Sequence, residues 1–133
     1  SPPGGGTTDY VIEMINSAKN KSKYICFLSQ KTELPMMYID DAVSSAIQLM
    51  STDKSKLSVK DSYNVTGFSI TPEILKTQIL NNGFKIEVKY KPDFRQIIAN
   101  SWPKKINDSK AKNDWGWNAK FSLVDTVKRS LEF

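Results

Sequence analysis

Ser101-Trp102-Pro103-Lys104-Lys105-Ile106-Asn107-Asp108-Ser109, continuing to Asp114-Trp115-Gly116-Trp117, places all three tryptophans of this 133-residue chain within sixteen positions. A proline, a carboxylate and a glycine punctuate the run. A generic apolar core needs no such punctuation. Asp108 predicts a helix start, and Trp115-Gly116 predicts its stop, because glycine adopts the left-handed conformation that ends helices. Trp102 stands between a polar residue and a proline, outside any periodic apolar stripe. An indole so placed can close over a small ligand and exclude water; filling a core is the alternative. Trp115 and Trp117 flank the helix stop and read as packing residues.

Working outward, Pro92–Asn100 reads as a short helix bearing Phe94, Ile97 and Ile98, preceded by Lys85–Tyr90, whose strict alternation predicts a half-exposed strand. Thr71-Pro72-Glu73 supplies a cap, a proline at the first helical position and an acid in the first turn. This starts a helix that carries Ile74, Leu75, Ile79 and Leu80 inward and stops at Gly83. Tyr63–Thr66 reads as a strand, and Ser51–Asp61 as a polar connection. Further upstream, Asp40 or Asp41 caps a helix to about Met50 with Ala42, Val43, Ala46, Ile47 and Met50 expected inside. Met36–Ile39 reads as extended, Thr32–Leu34 as a turn and Lys23–Leu28 as a strand. Tyr10–Lys19 is an amphipathic helix with Tyr10, Val11, Met14, Ile15 and Ala18 on one face, capped from Thr7, Thr8 or Asp9. At the other end, Ser122-x-x-Asp125 predicts a capping box ahead of Leu123, Val124, Val127 and Leu131. Helices alternating with short strands indicate α/β, or α+β for the chain taken alone.

Composition narrows the chemistry. The chain contains no histidine and a single cysteine, Cys26, inside the apolar run Tyr24–Leu28. Ser-His-Asp and Cys-His catalysis are excluded within this chain, as are ordinary zinc sites, so no metal is expected. The net charge is +5 and the sequence pI about 9.3. Of the 19 basic residues only Arg95 and Arg129 are arginine, and the lysines are scattered, densest at Lys19, Lys21 and Lys23. Arginine forks for phosphate and base edges are nearly lacking, so a solvated surface is expected and no nucleic acid. Mean hydropathy is −0.43. No apolar run reaches the roughly 20 residues of a membrane helix, and the first residues lack signal-peptide features, so neither membrane insertion nor secretion is expected.

Gly4-Gly5-Gly6 is no dinucleotide fingerprint, since no strand precedes it and the G-x-G-x-x-G spacing is missing. Three glycines do let a backbone approach a ligand, and the helix N-terminus that follows suits a carboxylate. Thr7 and Thr8 add hydroxyls; a flexible threonine-capped loop is the plainer alternative. Arg95 is expected to pair with Asp93 or another nearby acid.

Five segments in order carry a family resemblance: Pro3-Gly4-Gly5-Gly6-Thr7-Thr8-Asp9-Tyr10, Leu34-Pro35-Met36-Met37-Tyr38, Ser62-Tyr63-Asn64-Val65-Thr66, Tyr90-Lys91-Pro92-Asp93-Phe94-Arg95-Gln96 and the tryptophan-rich run. Together they resemble the C-terminal part of the short-chain type of L-threonine 3-dehydrogenase, in the extended short-chain dehydrogenase and epimerase/dehydratase superfamily. The resemblance implies that residues 1–133 form the substrate-side lobe, with one or two strands belonging to a Rossmann sheet held elsewhere. Tyr63–Thr66 is the strand expected to return to that sheet. It further implies L-threonine as substrate and Gly5, Gly6, Thr7, Thr8 and Trp102 as its contacts. NAD would be bound by an N-terminal half that also carries the catalytic Tyr-x-x-x-Lys pair. No catalytic residue is expected in this chain, which alone would be inactive. A homodimer at full length, in the mitochondrial matrix or cytoplasm, is implied as well. Nucleotide-sugar epimerases and dehydratases resemble the chain too but carry an arginine near Leu34–Tyr38 for a diphosphate, and here that neighbourhood is apolar. A stand-alone basic interaction module is the alternative from another class.

Overall fold

The computed structural model describes residues 5–20 and 22–133, so the readings that involve Pro3, Gly4 and Lys21 lie outside the described residues. The element order is α1 (Tyr10–Lys19), β1 (Lys23–Cys26), β2 (Leu34–Met36), α2 (Ile39–Ser51), β3 (Phe68–Ile70), α3 (Pro72–Asn81), β4 (Glu87–Tyr90), α4 (Arg95–Ser101), α5 (Ser109–Trp115) and α6 (Leu123–Glu132), with a 3-10 turn at Lys54–Lys56. The mixed α/β class follows the sequence pattern. β1 and β4 pair in parallel, Lys23 opposite Glu87 and Cys26 opposite Tyr90. β2 and β3 pair antiparallel, Leu34 opposite Ile70 and Met36 opposite Phe68.

The core follows the periodicity in α1 and in part of α3, where Leu75 and Ile79 are buried but Ile74 and Leu80, expected inward, are exposed. α1 buries Tyr10, Met14, Ile15 and Ala18. Against them lie Leu75 and Ile79 of α3, Val127 and Leu131 of α6, and Tyr24 and Cys26 of β1. Burial raises the Cys26 thiol pKa, which keeps it protonated and inert. The caps at α3 and α6 are as expected. Thr71 Oγ1 accepts from Ile74 N at 3.2 Å, and Ser122 and Asp125 form a complete capping box. Gly83 (φ +83°) and Gly116 (φ +72°) end their helices in the left-handed region.

Several further expectations are corrected, among them the cap at Asp40 or Asp41: both lie inside α2, whose N-cap is Tyr38. Tyr63–Thr66 forms no strand here: the ladder begins at Phe68 and no strand among the described residues pairs with residues 63–66, while Asp114 takes the Tyr63 hydroxyl and Trp117 Nε1 donates to Thr66 O at 3.3 Å. The extended piece expected at Met36–Ile39 lies earlier, at Leu34–Met36, and α2 already begins at Ile39. Asp108 supplies no side-chain cap; its carboxylate pairs with Lys112 at 3.0 Å, while Asn107 Oδ1 accepts from Ser109 N. Asp9 likewise turns back from α1, accepting from Gly6 N at 2.8 Å.

The orientation of α2 is the largest departure. Its buried residues are Asp41 and Ser45, while Ile39, Val43, Ile47 and Met50 are exposed. Asp41, 1% exposed, accepts from Lys120 N and Phe121 N, each at 3.0 Å. A buried carboxylate must be satisfied, and this one is, by the loop that leads into α6. That clamp decides which side of α2 faces inward.

Candidate functional site

The loop before α1 turns tightly, Asp9 N donating to Gly6 O at 3.2 Å while Asp9 carboxylate holds Gly6 N. Gly5 needs its glycine, with φ +84°. Thr7 is buried, whereas Thr8 and Asp9 are half-buried and reach a cleft of about 440 Å³ between α1, α6 and the β2–β3 pair. Pro35, Met36, Met37 and Phe68 make most of its wall apolar, and Tyr38 closes one side, its ring tilted against Phe121 with centroids 4.7 Å apart. Asp9 is the charged residue in the lining; no lysine or arginine takes part. Such a cleft suits a small ligand with one cationic group and gives a diphosphate no partner.

Trp102 is elsewhere. It is 41% exposed and lines a second cleft, of about 350 Å³, with Ser29, Lys31, Thr32, Gln96 and Lys104. Polar contacts stiffen that floor: Gln96 Oε1 accepts from Ser29 N at 2.7 Å and from Thr32 Oγ1 at 3.1 Å. The two clefts share no lining residue, so within this chain Thr8 and Trp102 are not brought together. Asp9 and Tyr38 were missed as cleft residues by sequence reasoning. Asp9 looked like a helix cap, and only the backward bond to Gly6 shows that it is otherwise engaged.

Arg95 pairs with Asp93 at 2.6 Å, as its neighbours suggested, and its guanidinium also stacks 3.3 Å from the Phe27 ring centroid. That hydrogen-bonded pairing raises the arginine and lowers Asp93 below the usual carboxylate range. Asp114 is lowered too, first by the Tyr63 hydroxyl and then by the main chain and hydroxyl of Ser58. Trp115 meets Tyr63 edge-on at 4.7 Å, and Trp117 is buried. These contacts staple the polar connection after α2 onto α5. They are structural.

Among the described residues there is no group of three or more His, Cys, Asp or Glu that could hold a metal, and no helix is long and apolar enough to cross a membrane. Nor do the residues present fit a dinucleotide. The sheets are two-stranded, and the Gly5–Gly6 loop is closed on Asp9 rather than opening between a strand and a helix.

No family model matches the chain. Mitochondrial L-threonine 3-dehydrogenase from Bos taurus is 40% identical over 134 residues, covering 100% of this chain and 36% of that protein. An uncharacterized epimerase/dehydratase of Staphylococcus aureus is 41% identical over 132 residues, covering 98% of this chain and 41% of that protein. The holo structure of a GalE-like L-threonine dehydrogenase from Cupriavidus necator superposes with a TM-score of 0.96 at 42% identity, over 99% of this chain and 43% of that one. The chain thus spans well under half the length of each. With its whole length matched in sequence and in fold, the chain belongs to the L-threonine dehydrogenase and epimerase/dehydratase group of extended short-chain dehydrogenases, and it corresponds to their C-terminal part.

Proposed function

We propose that this chain is the substrate-side part of an NAD-dependent L-threonine 3-dehydrogenase. The whole protein oxidises the C3 hydroxyl of L-threonine to the ketone of 2-amino-3-oxobutanoate, and the hydride leaves on NAD⁺ as NADH while the hydroxyl proton passes to a base. The reading is carried by the match to threonine dehydrogenases along the entire chain. The chemistry of the Thr8 cleft agrees with it. The Asp9 carboxylate can face the substrate ammonium, the Thr8 hydroxyl can bond the amino acid, and the apolar wall excludes water from the bond being oxidised. Gly5, Gly6 and Thr7 hold that loop in place, and Trp102 approaches from the second cleft. NAD and the proton-accepting Tyr-x-x-x-Lys pair belong to the portion that relatives carry beyond this span. The chain alone is therefore inactive. At full length the protein is a homodimer of the mitochondrial matrix or cytoplasm.

The epimerase/dehydratase relative keeps a second reading in view, in which a nucleotide sugar replaces threonine. One experiment separates them. The chain is extended by the dinucleotide-binding half of the Cupriavidus necator relative and assayed for NADH formation with L-threonine and for turnover of UDP-glucose. Threonine-dependent NADH and no UDP-glucose turnover are expected. The opposite pattern overturns the reading.

A further inference from the structure

The helix that ends at Trp102 is held in place chiefly by polar contacts. Of the seven residues of α4 only Ala99 is buried, and Ile97 and Ile98 are exposed. A short helix with so little packing takes its position from hydrogen bonds and ion pairs. Arg95 fixes the first turn over the Phe27 ring. Beyond it, Gln96 is the side chain of α4 that hydrogen-bonds another element among the described residues. Its Oε1 accepts from Ser29 N at 2.7 Å and from Thr32 Oγ1 at 3.1 Å, both in the loop between β1 and β2. Its Nε2 turns the other way and donates at 2.8 Å to Asn100 Oδ1, one helical turn on and just short of Trp102. We propose that Gln96 is a positioning residue for Trp102: through this carboxamide the β1–β2 loop sets where α4 ends, and so where the indole stands over the substrate. The inference rests on the functional reading above in taking L-threonine as what the indole covers.

Trp102 is the C-cap of α4 and 41% exposed, so its own packing does not fix it. On its far side Pro103 restricts the backbone, and Ser69 Oγ donates to Lys104 O at 2.8 Å. Ser69 lies in β3 between Phe68 and Ile70, and both of those line the Thr8 cleft. The indole therefore rides on a span tied at one end to the β1–β2 loop and at the other to a strand of the Thr8 cleft. This is how two clefts with no common lining residue keep a fixed relation. The seat of Gln96 is closed as well: Thr32 is buried, and its hydroxyl lies 2.7 Å from that of Ser29. A backbone N–H can only donate, so Ser29 N fixes which end of the carboxamide faces the loop. Methionine would match the length and make neither bond. Glutamate would keep the acceptor, and the Asn100 amide can reverse to donate to its second oxygen. An aromatic lid held in advance costs less ordering when the ligand arrives, and misplacing a group by about 1 Å at a reacting centre can cost about a hundredfold in rate.

A double-mutant cycle tests this in the chain extended by the Cupriavidus necator half, with Gln96→Met, Trp102→Ala and the pair assayed for threonine-dependent NADH formation. Gln96→Met is expected to lower kcat/KM for threonine about five- to twentyfold, with the KM for NAD⁺ within about twofold of the parent. Once Trp102 is alanine, the same substitution should change nothing further, because it acts through the indole. Gln96→Glu should bring kcat/KM back to within about threefold of the parent. Thr32→Val removes one donor to the carboxamide; it should act in the same direction, more mildly, and be silent beside Trp102→Ala. It carries the test should Gln96→Met prevent folding. Losses that multiply in the pair overturn the proposal, since Gln96 would then support the fold and not the indole. A Gln96→Met enzyme equal to the parent overturns it too. Nitrogen-15 labelling of the indoles separates this from the functional reading. The Trp102 N–H resonance, identified by its loss in Trp102→Phe, should move in Gln96→Met while the other indole signals stay. An unmoved resonance overturns the proposal even where threonine is oxidised. A moved one in a protein that ignores threonine leaves the positioning standing and removes the functional reading instead.

Discussion

Replacing Asp41 with alanine should be among the most damaging single changes in this chain. Its two carboxylate oxygens accept from Lys120 N and Phe121 N at 3.0 Å, and the residue is sealed from solvent. A hydrogen bond to an ionised group is worth about 1.5–3 kcal/mol, and each buried donor left bare costs about 1–3 kcal/mol. Lys120 is itself exposed and Phe121 half-buried, so water can partly satisfy the abandoned amides. A net loss of about 2–4 kcal/mol is expected. At about 3 °C per kcal/mol for a domain of this length, the melting temperature should fall by roughly 6–12 °C. Asp41→Asn, which keeps one acceptor oxygen, should lose about half of that. Asp40→Ala is the control: the same helical turn and charge but exposed, so only the helix-dipole contribution of about 0.3–1 kcal/mol is at stake. Urea titrations of the three variants give the comparison directly. If Asp41→Ala and Asp40→Ala agree within experimental error, the clamp does not hold α2, and the reasoning about its inverted face fails with it.

In the extended enzyme, Trp102→Ala should raise the threonine KM and lower kcat/KM about ten- to a hundred-fold, the loss of about 1–3 kcal/mol of packing, with NAD⁺ affinity unchanged. Thr8→Ala should act the same way but more mildly, by about 0.5–1.5 kcal/mol. Trp115→Ala should instead lower thermal stability, since its ring supports Tyr63; steady-state kinetics and melting on both tryptophan variants would expose a reversal of roles. For pH, Asp114 is depressed in the folded chain by Tyr63 and Ser58, so the unfolded chain takes up the proton first as pH falls. Its contribution should be complete above the ordinary carboxylate pKa of about 3.9 and vanish as pH drops through the lower folded value. The melting curves of the parent chain and Asp114→Asn should therefore differ near neutrality and converge in acid; a gap that persists at low pH would contradict the assignment. Gly116→Ala should cost about 1–2 kcal/mol from its left-handed backbone alone, because a Cβ there meets nothing within 4 Å. A denaturant midpoint loss well beyond that would mean an unrecognised contact.

Helix periods, caps and stops were readable because they are local. Thr71-Pro72, Ser122-x-x-Asp125, Gly83 and Gly116 each work through a few neighbouring atoms, and each is found where the spacing puts it. Asp9 and Asp108 lost their expected cap roles to neighbours within four residues, Gly6 and Lys112, whereas the other failures depended on distant partners. α2 has a correct period but the opposite orientation, because a period says which residues share a side and not which side meets the rest of the molecule. Asp41 looked like a cap for the same reason: its two donors lie 79 and 80 residues away. Tyr63-Asn64-Val65-Thr66 has strand-like composition, yet Asp114 and Trp117 engage it from the far end of the chain. Of the candidate site, Thr8 was singled out by the family resemblance, since its loop chemistry alone fits a capped loop equally well, whereas the separation of Thr8 from Trp102 is a matter of tertiary arrangement that no motif encodes.

The parallel pairing of β1 with β4 has a consequence for how the chain is made. Cys26 meets Tyr90, Ser29 meets Gln96 at a separation of 67 residues, and α1 packs on α6 at the opposite terminus. Such closures are slow to find, since the entropy of each loop is lost before its contacts are gained. At translation rates of about 5–20 residues per second, the apolar face of α1 emerges roughly ten seconds before α6 exists to cover it. β1 and α3 cover part of the Tyr10, Met14 and Ile15 face within that interval, and the ten-residue helix α6, carrying Val127 and Leu131, completes the cover.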